Sequence, residues 1–216
     1  HADTQAIAFS GSVAGAKKVG VGISNSDIVN LDETRAEIGA GSNVRSQAAD
    51  AGVKVTVDSK QDIANVSVSA GASTGTAGVG GVLGVMVSLN KTEASIGSGA
   101  TVKSQGDLAV TADNETVAVM VSGGIGAAKE AGVGAAIAAN VMANKTLASI
   151  GDDAVVDAAK QMTVAADADE NAVSVTVAGA GGGKVGVAGA ISMNVILSDT
   201  EASVGQGAKL NTDAAW

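Results

Sequence analysis

Two groups of carboxylates are the residues whose types and spacing could support acid–base chemistry: Asp152 and Asp153 with Asp157, and Asp167, Asp169 and Glu170. Paired carboxylates serve glycoside hydrolases as general acid and base. Carbohydrate sites also want aromatic platforms, and the chain offers only Phe9 and Trp216, with no Tyr. The one histidine is His1 and there is no cysteine, so neither a Ser/His/Asp nor a Cys/His arrangement can be assembled. No catalytic residue is expected. The run Asp167-Ala168-Asp169-Glu170-Asn171 presents oxygen ligands of the kind Ca²⁺ takes. It lacks the EF-hand loop and the Gly-Gly-x-Gly-x-Asp repeat of calcium β-rolls, and its counterparts Asp113-Asn114-Glu115 and Asp58-Ser59-Lys60 lose carboxylates unit by unit. A solvated acidic turn is expected there, with no metal and no cofactor. The glycine runs at 123–126 and 179–183 lack the Lys-Ser/Thr and the helix of a phosphate-binding loop, and read as tight turns and close coil packing.

Composition narrows the elements that position these groups. Hydrophobic residues make up 46% of the 216, yet aromatics are 1%, and 30 glycines accompany abundant Ala, Val and Ile. A core without aromatic bulk must be built from small side chains in narrow, regular layers. The formal charge of −9 argues against nucleic acid or anionic lipid as the primary partner. The absence of Cys excludes a disulfide scaffold and is compatible with either redox compartment. His1, with no Met before it, reads as a tag remnant, and residues 1–4 as a remnant or flank. The apolar stretch 131–144 is too short to span a bilayer as a helix.

The organising signal is a repeat. Thr-x-Ala-x-(Ile/Val)-Gly occurs at 92–97, 146–151 and 200–205, with Thr34, Ala36, Ile38 and Gly39 forming the first copy. The threonines are 58, 54 and 54 residues apart, and Val44, Val102, Val156 and Leu210 follow in register. Four units result, at about 5–58, 59–113, 114–167 and 168–216. Such spacing marks solenoids and arrays. Within a unit the period is two: Val117, Val119 and Val121 share a face, as do Val173, Val175 and Val177, and Thr92, Ala94 and Ile96 alternate with outward Glu93 and Ser95. We expect about five short strands per unit, arranged as two or three coils of a parallel β-helix. The competing reading is an antiparallel hairpin, residues 173–180 against 185–195.

Residues 133–141 resist a simple inside–outside pattern. The inward set would be Val133, Ala135, Ile137, Ala139 and Val141, but Gly134, Ala136 and Ala138 make the other face apolar too. Val82 and Met86 repeat this in the second unit. Strands apolar on both faces are normally covered on both, so another part of the protein, a second chain or a membrane is expected over this surface. The first unit departs at Asn25 and Asp27.

The segment Ala-Ser-Ile-Gly-Ser-Gly-Ala-Thr-Val-Lys-Ser-Gln-Gly-Asp-Leu-Ala-Val-Thr-Ala at 94–112 resembles the coils of large bacterial exoproteins of the filamentous-haemagglutinin type. Gly-Val-Gly-Ala-Ala-Ile-Ala-Ala-Asn-Val at 132–141 is similar to the leukotoxin-like filamentous adhesins within that group. The resemblance implies an all-β, right-handed parallel β-helix built from four repeats of about 54 residues. It further implies secretion through an outer-membrane β-barrel partner, display on the cell surface and no enzymatic activity. An adhesive segment that meets a host-cell or bacterial receptor is expected, and a membrane-damaging passenger segment is the alternative. No nucleic-acid partner is expected. Self-association is expected through an apolar face or through uncapped ends, because the units at 7–9 and 211–216 read as interrupted.

Overall fold

The computed structural model describes residues 1–212. The first coil consists of β1 (Ala2–Ala16), β2 (Val19–Ile38) and β3 (Asn43–Arg45). The second is β4 (Val53–Ser73), β5 (Ala77–Ile96) and β6 (Thr101–Ser104); the third is β7 (Leu108–Ala128), β8 (Ala131–Ile150) and β9 (Val155–Ala158). The fourth is β10 (Met162–Gly182), β11 (Val185–Val204) and β12 (Lys209–Leu210). Corresponding strands stack in parallel into three sheets, ordered β1-β4-β7-β10, β2-β5-β8-β11 and β3-β6-β9-β12. The chain is a parallel β-helix.

Each repeat makes one coil, not two or three. The expected short strands fuse into strands of 20 or 21 residues plus a short third wall. The segment 108–113, read from sequence as a closing strand, opens β7 and runs on through Val117, Val119 and Val121. The hairpin alternative also resolves: β10 and β11 reverse direction at residues 183–184, but each hydrogen-bonds to the preceding coil, β7 and β8 respectively. They face one another as an arch across the interior. At about 3.3 Å per residue a long strand spans roughly 70 Å, while four coils stack over only about 20 Å. The described chain is therefore a slab, longer along its strands than along its stacking axis.

The repeat signature is a corner device. Thr92 and Thr146 are 0% and 1% exposed, and Ala94, Ile96, Ala148 and Ile150 line the core beside them. Val102 and Val156 of the third wall close the same cluster, with Leu108, Val110, Val55 and Val57 from the first sheet. The signature glycine sits where the chain leaves the second sheet, and a Cβ on Gly151 would lie 2.6 Å from the Ser98 nitrogen of the coil below. Two residues on, the corner needs positive φ, supplied by Gly41, Gly99 and Gly207 and, in the third coil, by Asp153 at 55°.

Beyond the third wall the interior becomes polar, then narrow. Gln61 donates to Asp32 at 3.1 Å and accepts from Ser88 at 3.2 Å, and Asn90 donates to Asn114. Asn144 donates to Thr116 and Glu170, both at 3.3 Å. Pairing of this kind offsets the desolvation of buried amides. A second apolar cluster follows, formed by Ile63, Met86, Ala118, Met120, Ala138 and Met142. Further from the third wall, the first two sheets close onto each other through glycine. A Cβ on Gly78, Gly80, Gly132 or Gly134 would run into the carbonyl oxygens of Ala127, Ile125, Gly181 or Gly179, respectively. Sheets faced with ordinary side chains pack about 10 Å apart; here backbone meets backbone, forming a thin blade.

Candidate interaction surface

The blade inverts the expected register. Because Gly132, Gly134, Ala136, Ala138 and Asn140 face inward, Val133 and Ile137 point out and are 38% and 42% exposed. The expected inward set of Val133, Ala135, Ile137, Ala139 and Val141 is thus the outward one. The reason is spatial. Where two sheets touch through their backbones, a β-branched side chain has room only on the far side.

Strand register assembles these residues into rows. Across the second sheet, Val21, Val79, Val133 and Val187 align, as do Val29, Val87, Val141 and Val195, and Leu31, Leu89, Ala143 and Leu197. Between them run the row Ile23, Gly81, Ala135 and Gly189, small in all but the first coil, and the row Asn25, Leu83, Ile137 and Ile191, bulky and apolar in all but the first. Asn25 and Asp27 are the only polar side chains at outward positions from the Val19 row to the Leu31 row, and they satisfy each other at 2.9 Å. The opposite outer face is similar: Phe9, Val66, Val121 and Val175 align, flanked by Ile7, Ala64, Val119 and Val173 and by Val13, Ala70, Ile125 and Gly179. Phe9, one of the two aromatics considered as a carbohydrate platform, lies here at 77% exposure; Trp216 lies outside the described residues.

Charged fringes border both faces. On the second sheet Lys91 contacts Glu93 at 2.7 Å and Glu33 at 3.4 Å, Arg35 contacts Glu93 at 3.1 Å, and Lys145 contacts Asp199 at 2.9 Å. The Lys91 hydrogen bond holds the Glu93 carboxyl below its ordinary range, while the same contact raises Lys91. On the first sheet Lys60 pairs with Glu115 at 3.3 Å. At the other border, where β1 turns into β2, β7 into β8 and β10 into β11, stand Lys17, Lys18, Lys129, Glu130 and Lys184. Lys184 pairs with Glu130 at 3.0 Å; among the described residues, none of Lys17, Lys18 and Lys129 is in an ion pair. Among the described residues, four basic side chains, Lys17, Lys18, Lys129 and Lys184, but only one acidic one, Glu130, occupy this tip. It is the basic region of an acidic chain.

The carboxylates singled out from sequence are dispersed into structural roles. Asp152 accepts from the Gln206 nitrogen at 2.7 Å, Asp153 fills the positive-φ corner, and Asp157 is buried, accepting from Thr212 and lying 3.6 Å from Lys103. The run from Asp167 to Asn171 is not a turn: it lies mid-strand in β10, with Glu170 facing inward to accept from Asn144 and Ser198 and Asp167 and Asp169 facing out. Asp58, Asp113 and Asp167 stack in one outward row. Partial burial, then repulsion from Asp58 and Asp167, raises Asp113 above the usual carboxylate range. Among the described residues no group of three or more His, Cys, Asp or Glu is arranged to hold a metal ion. No described helix is long and apolar enough to cross a membrane. Gly124 and Gly126, from one of the glycine runs, face into the blade contact and are not at a turn.

Sequence reasoning found the two-faced apolar stretch at 133–141 but exchanged its inner and outer sides. The available signal was the polarity of the alternate positions, since Ser67, Asn65 and Asn140 fall opposite the valines. Compared with protein-family models, curated protein sequences and solved structures, the chain matches none.

Proposed function

We propose that the chain is a non-catalytic, structural and adhesive segment of a secreted bacterial surface exoprotein, presenting its outer faces to a host-cell or bacterial receptor. The observation that carries this reading is the pair of apolar faces, running from coil to coil with a polar break at Asn25 and Asp27 of the first, bounded by an ion-paired fringe toward the base and a lysine-rich tip at the other end. Exposed apolar surface on this scale marks interaction sites. A solenoid is suited to it, because each added coil extends the same surface without a new fold. The resemblance to filamentous-haemagglutinin-type exoproteins supports export through an outer-membrane barrel and cell-surface display. The stacked threonines and polar interior serve the scaffold.

The test is retention of fluorescently labelled protein on epithelial and bacterial cells, with release of a cytosolic dye followed on the same cells. Retention without dye release, reduced at least tenfold by Val133→Ser combined with Ile137→Ser, is the expected result. No retention on any cell would sink the proposal. A second reading, membrane damage, is favoured by the apolar character of both blade faces, and dye release proportional to bound protein would establish it instead.

A further inference from the structure

We infer that the partner recognised by the blade is an anionic lipid bilayer, entered tip-first. This names the partner class of the surface on which the proposed function rests. Three observations converge on lipid. First, both outer faces of the blade are apolar. A second copy of the chain packed on one face would leave the other in water, whereas hydrocarbon covers both together. Second, the charge-free depth fits. On the second sheet it runs from the Val19 row to the Leu31 row in every coil but the first, where Asp27 interrupts it, about 40 Å, and on the first sheet from the Ile7 row to the Gly15 row, about 27 Å; these bracket a hydrocarbon core of about 30 Å. Third, the tip is basic. Lys17, Lys18 and Lys129 project where the apolar faces end, without carboxylate partners among the described residues, although the chain as a whole is acidic. Lysines bordering an apolar surface match phosphate headgroups bordering acyl chains.

Between the end coils the backbone meets the requirement that lipid imposes, while β1, β2, β10 and β11 each have one unpaired edge among the described residues. Every long strand between the end coils is hydrogen-bonded on both sides, and the two sheets join through the tip, so the blade's flanks expose no unpaired ladder between those coils. Asn25 and Asp27 place a polar break in the first coil alone. The net charge of −9 argues against anionic lipid for the chain as a whole, but among the described residues Glu130 is the only carboxylate at the tip.

Flotation with vesicles tests this directly. The native chain should float with vesicles of phosphatidylcholine and phosphatidylglycerol when mixed at low salt and less when salt is raised before mixing, with at least tenfold weaker partition onto phosphatidylcholine alone. Lys17→Gln, Lys18→Gln and Lys129→Gln together should weaken partition on the order of a hundredfold. Ile137→Glu with Val187→Glu should abolish it while the circular-dichroism spectrum stays β-rich, since both side chains already face out. Asn25→Leu with Asp27→Val should strengthen it. Native partition unchanged by Ile137→Glu and Val187→Glu overturns the inference. So does an absence of flotation accompanied by concentration-dependent dimers that the same substitutions disperse, which would make a second copy the occupant. If cells retain the protein and vesicles do not, the lipid partner is wrong and the adhesive function stands; if neither binds, both fall.

Discussion

The three-walled base and the two-walled blade are built by the same repeat with opposite polarity. In the base, the third sheet holds the first two apart, so Ile96, Ile150, Val102 and Leu108 fill the interior while Lys91, Glu93 and Arg35 face water. In the blade there is no third wall. The sheets collapse until Gly80 and Gly134 meet opposing carbonyls, and Val133, Ile137 and Val175 are left outside. Interior volume, set by the number of walls, decides which alternate positions are apolar. The direction of a valine in this chain reports the local wall count.

The contrast is broken most severely by adding side chain inside the blade. Gly134→Val should cost on the order of 4 kcal/mol or prevent folding, because its Cβ meets the Gly179 backbone and no rotamer relieves that. Gly123→Val, with only an ordinary 3.9 Å contact to the Val177 oxygen, should leave the melting temperature nearly unchanged. Next, Ile150→Asp should cost about 3–5 kcal/mol, as a charge buried without a partner does. Ser149→Asp, beside it on the outer face, should stay within about 0.5 kcal/mol. Equal denaturation midpoints for that pair would refute the assigned register of the base.

Smaller effects sharpen the boundary between the regions. Met86→Ala should cost roughly 2–5 kcal/mol, and Ile137→Ala, a similar truncation on the outer face, about 0.5 kcal/mol or less. Denaturant titration would show the ordering reversed if the blade were packed the other way round. The mildest change is Asp113→Asn, which removes like-charge repulsion along the Asp58, Asp113 and Asp167 row and should stabilise by about 0.2–1 kcal/mol at pH 7. Its sign follows from linkage. A carboxyl whose folded pKa is raised is destabilising at neutral pH, and the penalty fades as pH falls through the folded value toward the unfolded one. The gain from Asn should therefore be present at pH 7 and vanish below about pH 3.8, near the ordinary aspartate value. A gain that persists at low pH would assign the effect to something other than charge.

The sequence makes the base readable because there the usual rule holds. Thr92, Ala94 and Ile96 alternate with polar neighbours, face in as expected, and carry the repeat that identifies the solenoid. Reading fails where polar groups line the interior. Asn114 and Thr116 interrupt the hydrophobic period and suggest a turn, but hydrogen bonding to Asn90 and Asn144 keeps them inside an unbroken strand. That hidden continuity made one coil look like two or three. The blade misleads for a different reason: valine spaced at period two announces a strand but not which side is buried, and only glycine on the alternate positions tells of a neighbouring sheet. The surface proposed for binding was visible as a two-faced apolar stretch, with its inner and outer sides exchanged.

One coil per repeat also has a mechanical consequence. Successive coils are joined by a ladder of more than forty paired positions across β4 and β7 together with β5 and β8. When the chain is pulled along the stacking axis, that ladder is loaded in peeling, pair after pair, and each freed coil releases about 54 residues of slack. At full extension this is a lengthening of roughly 180–190 Å per coil. A surface protein made of such units would pay out tether in equal steps under drag, absorbing work while the coils still stacked kept their outer faces intact.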